Sequence, residues 1–173
     1  MTPTQLANMM ATVANRGYYY TPHIIKKIKG EQIDPKYRIK HQTTIDRKYF
    51  EPVVEGLFGV FNYPGGTGNA LQVEGINICG KTGTADKVLD GIYSEGKVNT
   101  FASIFPSSSP KYVFIVMLDT PKTSSSYIYN YRHKEGTQTG TPYNTAGWTS
   151  VEVAGKIIDK IGPILATKYI EVN

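Results

Sequence analysis

The sequence predicts an α+β fold, a three-stranded antiparallel sheet with flanking helices, and three observations lead to this prediction. Apolar residues recur at helical spacing near both ends of the 173-residue chain. Three strand-like blocks follow one another between residues 76 and 119, and a short connection joins the last two. There is no β-α-β alternation, which a doubly wound fold requires.

The first element is a helix that begins after Thr2 and ends near Arg16. Thr2 suits the N-cap, Pro3 fits the first helical position, and Gln5 completes a capping box. The predicted buried face consists of Leu6, Met9, Met10 and Val13. The next stretch, "GYYYTPHII", is predicted to be extended, and residues 30–44 are polar and irregular.

A second helix is predicted from Asp46 through "RKYFEPVVEGLFGVF", where Pro52 either starts or kinks it. After the turn cluster "NYPGGTGNA" come the strand blocks "INICGKTGTA", "NTFASIF" and "KYVFIVMLD". A polar loop containing Asp90 and Gly91 is expected between the first two blocks. Residues 120–145 form a long segment without periodicity, of a length that is usually functional or disordered.

The last element is a helix over residues 145–166, expected to cover the sheet with one apolar side. That side consists of Trp148, Val151, Ala154, Ile157, Ile158, Ile161 and Leu165.

Charge and composition exclude several classes of protein. The net charge of +5 comes from residues 1–50, which hold nine Lys/Arg against three Asp/Glu. A solvated basic face is the favoured interpretation, with contact to an anionic surface as the alternative. No nucleic-acid-binding signature accompanies these lysines, and the three histidines lack metal-ligand spacing, so we expect neither nucleic acid, metal nor cofactor. Without a signal peptide or an apolar run of about 20 residues, the chain is expected to be soluble.

The motif "GKTGT" carries the clearest chemistry. If its strand is regular, Thr82 and Thr84 lie on one face, and Cys79, Lys81 and Ala85 lie on the other. Two threonine hydroxyls beside a protonated lysine form a receptor for a carboxylate. Gly83, between them, is expected to let a helix approach the strand. The same residues also fit a polar strand end. Cys79 is interpreted as a small buried residue and not as a nucleophile.

Lys-Thr-Gly is one of three signatures of penicillin-binding proteins and serine β-lactamases, together with Ser-x-x-Lys and Ser-x-Asn. Ser-x-Asn is missing from this chain. Ser-x-x-Lys occurs as Ser94–Lys97 and Ser108–Lys111, both in predicted turns. A catalytic pair needs one helical turn between serine and lysine, so we interpret both occurrences as coincidences.

Several collinear blocks resemble the C-terminal part of the transpeptidase domain of class B penicillin-binding proteins, which cross-link peptidoglycan. "MTPTQLANMMATVANRGYYYTPHI" is similar to the family's segment before the Lys-Thr-Gly motif, and "PGGTGNAL" with "INICGKTGTADK" to its glycine loop and active-site strand. "NTFASIFPSSSPKYVFIVMLDTPK" resembles the hairpin that follows in the family. "TAGWTSVEVAGKIIDKIGPIL" resembles the terminal helix, and its sequence favours the septal, cell-division branch.

The resemblance implies a role for each motif residue. Lys81 would support a proton network and attract substrate, while Thr82, Gly83 and Thr84 would hold the carboxylate of a D-Ala-D-Ala stem peptide or a β-lactam. The backbone N–H of Thr84 would be an oxyanion-hole donor. Residues 1–173 would then be the C-terminal portion of the domain, lacking the nucleophile and therefore inactive alone. An exposed sheet surface is expected to self-associate.

The intact protein, by the same resemblance, would lie in the bacterial periplasm or on the outer face of the cytoplasmic membrane and work with membrane-anchored division or elongation proteins. Two alternatives stay open. The first is a fragment of a serine β-lactamase-like hydrolase, which shares the Lys-Thr-Gly strand. The second is a non-catalytic module that binds cell-wall peptide or a protein through the 120–145 segment.

Overall fold

The computed structural model describes residues 1–69, 71, 73, 75–89, 92–120, 128, 129, 138, 139, 146 and 149–169. Its helices are α1 (Pro3–Ala14), α2 (Phe50–Asn62) and α3 (Ser150–Tyr169). Its strands are β1 (Tyr18–Tyr19), β2 (His41–Gln42), β3 (Cys79–Leu89), β4 (Ile92–Phe105), β5 (Tyr112–Thr120), β6 (Ile128–Tyr129) and β7 (Gln138–Thr139). The predicted α+β fold is confirmed, with an antiparallel sheet in the order β3-β4-β5 and two short strand pairs, β1-β2 and β6-β7.

Helices cover both faces of the three-stranded sheet. On one face α1 packs on β4 and β5, and α3 packs on the same two strands from the other face. Helix α2 packs on β3 and contributes to the clusters on both faces. The cluster on the α1 side consists of Met10, Val54, Cys79, Ala102 and Ile104. The cluster on the α3 side consists of Phe61, Leu71, Ile78, Phe101, Phe105, Val116, Val151, Ala154 and Ile158. Self-association stays a prediction. Helices cover both faces of the three-stranded sheet, so the surface that remains for self-association among the described strands is single exposed side chains and the unpaired outer edges of β3 and β5.

Helix α1 begins with the predicted capping box, in which the Thr2 side chain accepts from the backbone of Gln5 and the Gln5 side chain accepts from Thr2. Its buried face is narrower than predicted. Met10 is buried, but the neighbouring Met9 is 45% exposed. Adjacent helical residues point about 100° apart, so only one of the two methionines can face the sheet.

Helices α2 and α3 begin later than predicted. Asp46 caps a short 3-10 turn, α2 follows from Phe50, and Pro52 lies in its first turn, so the proline starts the helix and does not kink it. Helix α3 begins at Ser150 instead of residue 145, and Trp148 lies outside the described residues. The expectation that Ile157 is buried is wrong, because this residue points about 100° away from the buried Ile158.

The predicted polar loop between the first two strand blocks is wrong. Strand β3 continues to Leu89 and β4 starts at Ile92, so the two strands form one long hairpin. Asp90 and Gly91, which were expected in the loop, lie outside the described residues. Pairing shifts where Asp86 opposes Lys97 and Lys87 opposes Ser94, which leaves a bulge on β4. Cross-strand ion pairs join Lys97 to Asp86 and Lys87 to Asp119, so these polar residues stabilise strands. The 120–145 segment lies largely outside the described residues.

Candidate active site

The register of β3 with β4 determines which way the motif side chains point. Thr82 pairs with Phe101, and Thr84 pairs with Asn99. Paired residues share a face of an antiparallel sheet, and Phe101 belongs to the cluster under α3. Both threonines therefore face the α3 side, and Lys81, opposite Ala102, faces the α1 side. The predicted alternation along "GKTGT" is confirmed, since the bulge comes only after Asp86.

The hydroxyl of Thr82 bonds to a second threonine. Its Oγ1 lies 2.8 Å from Oγ1 of Thr67, and the Thr82 side chain is 9% exposed. Thr67 lies in the glycine loop that connects α2 to the strand region, 15 residues earlier. Sequence reasoning treated that loop as a turn and missed Thr67, although a threonine between two glycines was the available signal.

Backbone and side-chain bonds hold the glycine loop against the end of α2. The N–H of Gly68 donates to the carbonyl of Val60 at 3.0 Å, and the amide of Asn69 donates to the carbonyl of Phe61 at 3.3 Å. A Cβ on Gly68 would lie 2.1 Å from the Phe61 ring, so only glycine allows this approach. The contact positions the neighbouring Thr67 over β3.

The hydroxyl of Thr84 bonds to the segment that leads into α3. Its Oγ1 accepts from the backbone N–H of Ala146 at 3.0 Å. Ala146 is buried, and its carbonyl accepts from Val151 N–H and the Ser150 hydroxyl, which anchors it to the start of α3. Thr84 itself remains exposed on the surface.

These partners determine what the two hydroxyls can still do. A hydroxyl carries one proton to donate and two lone pairs that accept. Because the Ala146 N–H occupies a lone pair of Thr84, the Thr84 proton stays available to donate. Thr82 keeps its own proton when Thr67 is the donor of their shared bond. Two hydroxyl donors on one strand face, from residues whose Cα atoms are about 6.6 Å apart, suit an acceptor-only group such as a carboxylate.

Lys81 supplies positive charge beside this face. Its side chain is exposed, and Nζ donates to the carbonyl of Thr82 at 2.7 Å. An ammonium group has three donors, so two remain. Lys81 forms no ion pair with any described residue, in contrast to Lys87 and Lys97, each of which has a carboxylate partner. Its charge is therefore not neutralised by a neighbouring acid within the described part of the chain.

The prediction that Gly83 makes room for a helix is wrong. A Cβ at this position would lie 2.7 Å from Oγ1 of Thr100 on the adjacent strand, and none of the described helices comes within 4 Å. Thr100 also donates to the carbonyl of Gly83 at 3.2 Å. The glycine makes room for a neighbouring strand's side chain and not for a helix.

Cys79, at the start of β3, is fully buried in the cluster under α1. Burial raises the pKa of its thiol to about 11, so the thiolate that a nucleophile requires is scarce at neutral pH. This geometry agrees with the predicted packing role.

The two Ser-x-x-Lys matches have no catalytic geometry. Ser94 and Lys97 lie in strand β4, where a turn was predicted, and Ser108 to Lys111 lie in the β4-β5 connection. Neither pair lies on a helix, which is the arrangement that brings a lysine amine to a serine three residues earlier. Among the described residues, no cluster of three His, Cys, Asp or Glu side chains is arranged to hold a metal ion.

Comparison with known proteins places this geometry in a family. The family model described as "Penicillin binding protein transpeptidase domain" matches residues 1–140. Stage V sporulation protein D of Bacillus subtilis is 36% identical over 131 residues, covering 70% of this chain and 19% of that protein. The probable peptidoglycan D,D-transpeptidase FtsI of Caulobacter vibrioides is 32% identical over 111 residues, covering 60% of this chain and 17% of that protein.

A solved structure shows the same fold. The transpeptidase domain of penicillin-binding protein 3 from Burkholderia pseudomallei, in its apo form, superimposes with a TM-score of 0.62 at 20% identity. The match covers 92% of this chain and 41% of that one. This chain spans about a fifth of the length of the curated relatives named above. The chain belongs to the penicillin-binding protein transpeptidase domain family, of class B.

Proposed function

We propose that β3 and its partners form one wall of a peptidoglycan D,D-transpeptidase active site. The observation that carries the proposal is the pair of bonds that position the Thr82 and Thr84 hydroxyls on one strand face, with the Thr84 proton free to donate and the Thr82 proton free when Thr67 donates their shared bond. The substrate class is a stem peptide ending in D-Ala-D-Ala, whose terminal carboxylate accepts from both hydroxyls. A β-lactam carries a carboxylate in the corresponding place and binds to the same groups.

Lys81 and the backbone of β3 complete this wall. The ammonium of Lys81 attracts the anionic end of the substrate and strengthens the hydrogen bonds that the carboxylate accepts. β3 pairs only with β4 among the described strands, so its other edge is open to a ligand. We assign the N–H of Thr84 as one oxyanion-hole donor, a type of interaction worth about 3 kcal/mol in the barrier.

The nucleophile comes from outside these 173 residues in this proposal. In the reaction, a serine hydroxyl attacks the carbonyl of the penultimate D-alanine, an acyl-enzyme forms, and the terminal D-alanine leaves. An amine of a second stem peptide then takes the acyl group. The residues described here bind and orient the donor peptide, and they do not supply the attacking oxygen. The intact protein is assigned to peptidoglycan synthesis outside the cytoplasmic membrane, in the septal branch, as its similarity to FtsI favours.

No described helix is both long enough and apolar enough to span a bilayer. The non-catalytic module remains the competing interpretation, and its contact segment, residues 120–145, lies largely outside the described residues.

Two measurements on the purified 173-residue chain test the proposal. Labelling with a fluorescent penicillin, read on a denaturing gel, should give no covalent band. A band that persists in Lys81→Ala would contradict the assignment of the nucleophile to another part of the protein.

Titration with a D-Ala-D-Ala peptide tests the carboxylate site directly. The free-acid peptide should bind better than its C-terminal amide, and Thr84→Val should remove this difference while Thr84→Ser keeps it. Equal binding of acid and amide by the wild-type chain would overturn the carboxylate receptor and favour a general protein-binding surface.

A further inference from the structure

A basic loop, residues 22–40, connects β1 to β2. It holds six Lys or Arg residues against two Asp or Glu. Only one 3-10 turn, Pro35–Arg38, interrupts its irregular backbone. The proposed transpeptidase site uses none of these residues.

Isoleucines alternate with the lysines at the tip of this loop. Ile24 is 100% exposed, Ile25 is 56% exposed and Ile28 is 46% exposed. Ile39, on the returning arm, is 53% exposed. Single exposed apolar side chains are ordinary on a protein surface, but three of these four lie within residues 24–28, and such clustering favours an interaction site.

The isoleucines also border a groove of about 350 Å³ that is open to solvent. Ile24, Ile25, Ile28, Ile33 and Tyr37 line it together with the polar residues His23, Glu31, Gln32 and Asp34. The exposed isoleucines therefore lie at the edge of a groove with a mixed apolar and polar lining.

The lysines nearest the exposed isoleucines are not neutralised. Lys26, Lys27 and Lys29 are exposed and form no ion pair with any described residue. By contrast, Lys36 pairs with Asp34. Lys26, Lys27 and Lys29 therefore put positive charge without a carboxylate partner next to Ile24, Ile25 and Ile28 in the sequence.

We infer that the basic loop binds the surface of an anionic lipid bilayer. Lysines attract the acidic headgroups while the adjacent isoleucines enter the boundary between headgroups and acyl chains. The sequence order Ile24-Ile25-Lys26-Lys27-Ile28-Lys29 puts both interactions in one six-residue stretch. A phosphate-bearing polymer would use the lysines but leave the isoleucines in water, whereas the surface of an anionic bilayer accommodates both.

Co-sedimentation of the 173-residue chain with vesicles tests this inference. The chain should bind vesicles of phosphatidylcholine with 30% phosphatidylglycerol and should not bind phosphatidylcholine alone, and binding should weaken as salt rises. Each lysine near an anionic surface contributes about fivefold to the binding constant, so K26Q/K27Q/K29Q should weaken binding about 100-fold. The double variant I24S/I28S, which keeps every charge, should weaken it at least about tenfold.

Matched controls use exposed residues elsewhere in the chain. The charge control is K111Q/K160Q, and the apolar control is Ile157→Ser on α3. Both should bind vesicles as the wild type does, and circular dichroism checks that all variants keep the fold.

Three results would overturn the inference. Equal binding to both kinds of vesicle would remove the role of headgroup charge. Vesicle binding that I24S/I28S leaves unchanged would show that the isoleucines do not enter the bilayer and that the lysines alone bind anionic groups. Failure to bind acidic vesicles, together with loop-dependent binding of polyglutamate, would point to an acidic protein partner.

Discussion

Thr67 and Thr82, 15 residues apart in sequence, share a hydrogen bond of 2.8 Å between their hydroxyl oxygens. The bond connects the glycine loop to strand β3. Each hydroxyl can donate or accept, so the bond leaves one of the two protons free for another acceptor. In the proposed site, Thr67 therefore acts as a positioning residue for the Thr82 hydroxyl.

Replacement of Thr67 by valine should weaken both the fold and the site. The hydroxyl of Thr82, a residue that is only 9% exposed, would lose its partner. We expect the free energy of unfolding to fall by about 1 to 2 kcal/mol, as for other buried polar groups left unpaired. Urea denaturation gives the stability, and titration with the D-Ala-D-Ala peptide gives the binding.

Thr67→Ser is the matched control, since serine keeps the hydroxyl and loses only a methyl group. It should retain most of the peptide affinity that Thr67→Val loses. If serine and valine behave alike, the hydrogen bond has no part in positioning Thr82.

The bond between Thr84 and Ala146 predicts a second effect on stability. In Thr84→Val, the buried N–H of Ala146 has no acceptor in place of Oγ1. This should destabilise the chain by about 1 to 3 kcal/mol and loosen the start of α3. Hydrogen exchange at the Ala146 amide should accelerate in the valine variant and remain slow in Thr84→Ser. Unchanged exchange in Thr84→Val would show that the amide is protected by something other than this hydroxyl.

The shared face of the two motif threonines could be predicted, because side chains along a regular strand alternate between its two faces. Thr82 and Thr84 had to share a face wherever the strand was regular. Their partners could not be predicted, because Thr67 and Ala146 come from segments 15 and 62 residues away and meet β3 only through packing. Local pattern contains no information about which distant segment supplies a hydrogen bond.

The long β3-β4 hairpin was missed for a different reason. Its polar residues, such as Asp86 and Lys97, are typical of a loop when considered one strand at a time. In the hairpin, opposite charges meet across the strand pair, and the dipeptide Asp-Gly in the sequence is a signal for a two-residue hairpin turn. The signal was present in the sequence, but it required both strands to be considered together.

The thiol of Cys79 makes a pH-dependent contribution to stability. Burial raises its pKa from 9.0 to about 11. The folded state therefore holds its proton more tightly than the unfolded state, which contributes stability that is complete below pH 9 and is lost as the pH rises toward 11. Between pH 8 and pH 10 this loss should be about 1 kcal/mol.

Comparison with Cys79→Ala isolates this contribution, because the lysines and tyrosines that titrate in the same range are common to both proteins. The stability difference between wild type and variant, measured by urea denaturation, should shrink by that amount from pH 8 to pH 10. A constant difference across this range would mean that the thiol titrates alike in both states.

Because Thr100 approaches Gly83 closely, we expect even one methyl group at position 83 to lower the free energy of unfolding. A Cβ there would lie 2.7 Å from Oγ1 of Thr100, which is held by its own bond to the Gly83 carbonyl. Gly83→Ala should destabilise the chain by about 1 to 3 kcal/mol, as overpacking does elsewhere. The matched control is Gly56→Ala on α2, where a Cβ meets nothing within 4 Å and alanine should stabilise the helix by about 0.5 to 1 kcal/mol.

A double-mutant cycle tests whether Thr100 is the cause. Thr100→Ala removes the obstructing Oγ1, and the remaining Cβ of residue 100 lies 3.9 Å from the new methyl group, which is ordinary contact. Gly83→Ala should therefore cost less in the Thr100→Ala background, with a coupling energy of about 0.5 to 2 kcal/mol. If the two effects simply add, the cost of alanine at this position comes from the backbone of β3, and the steric explanation for the glycine in "KTGT" is wrong.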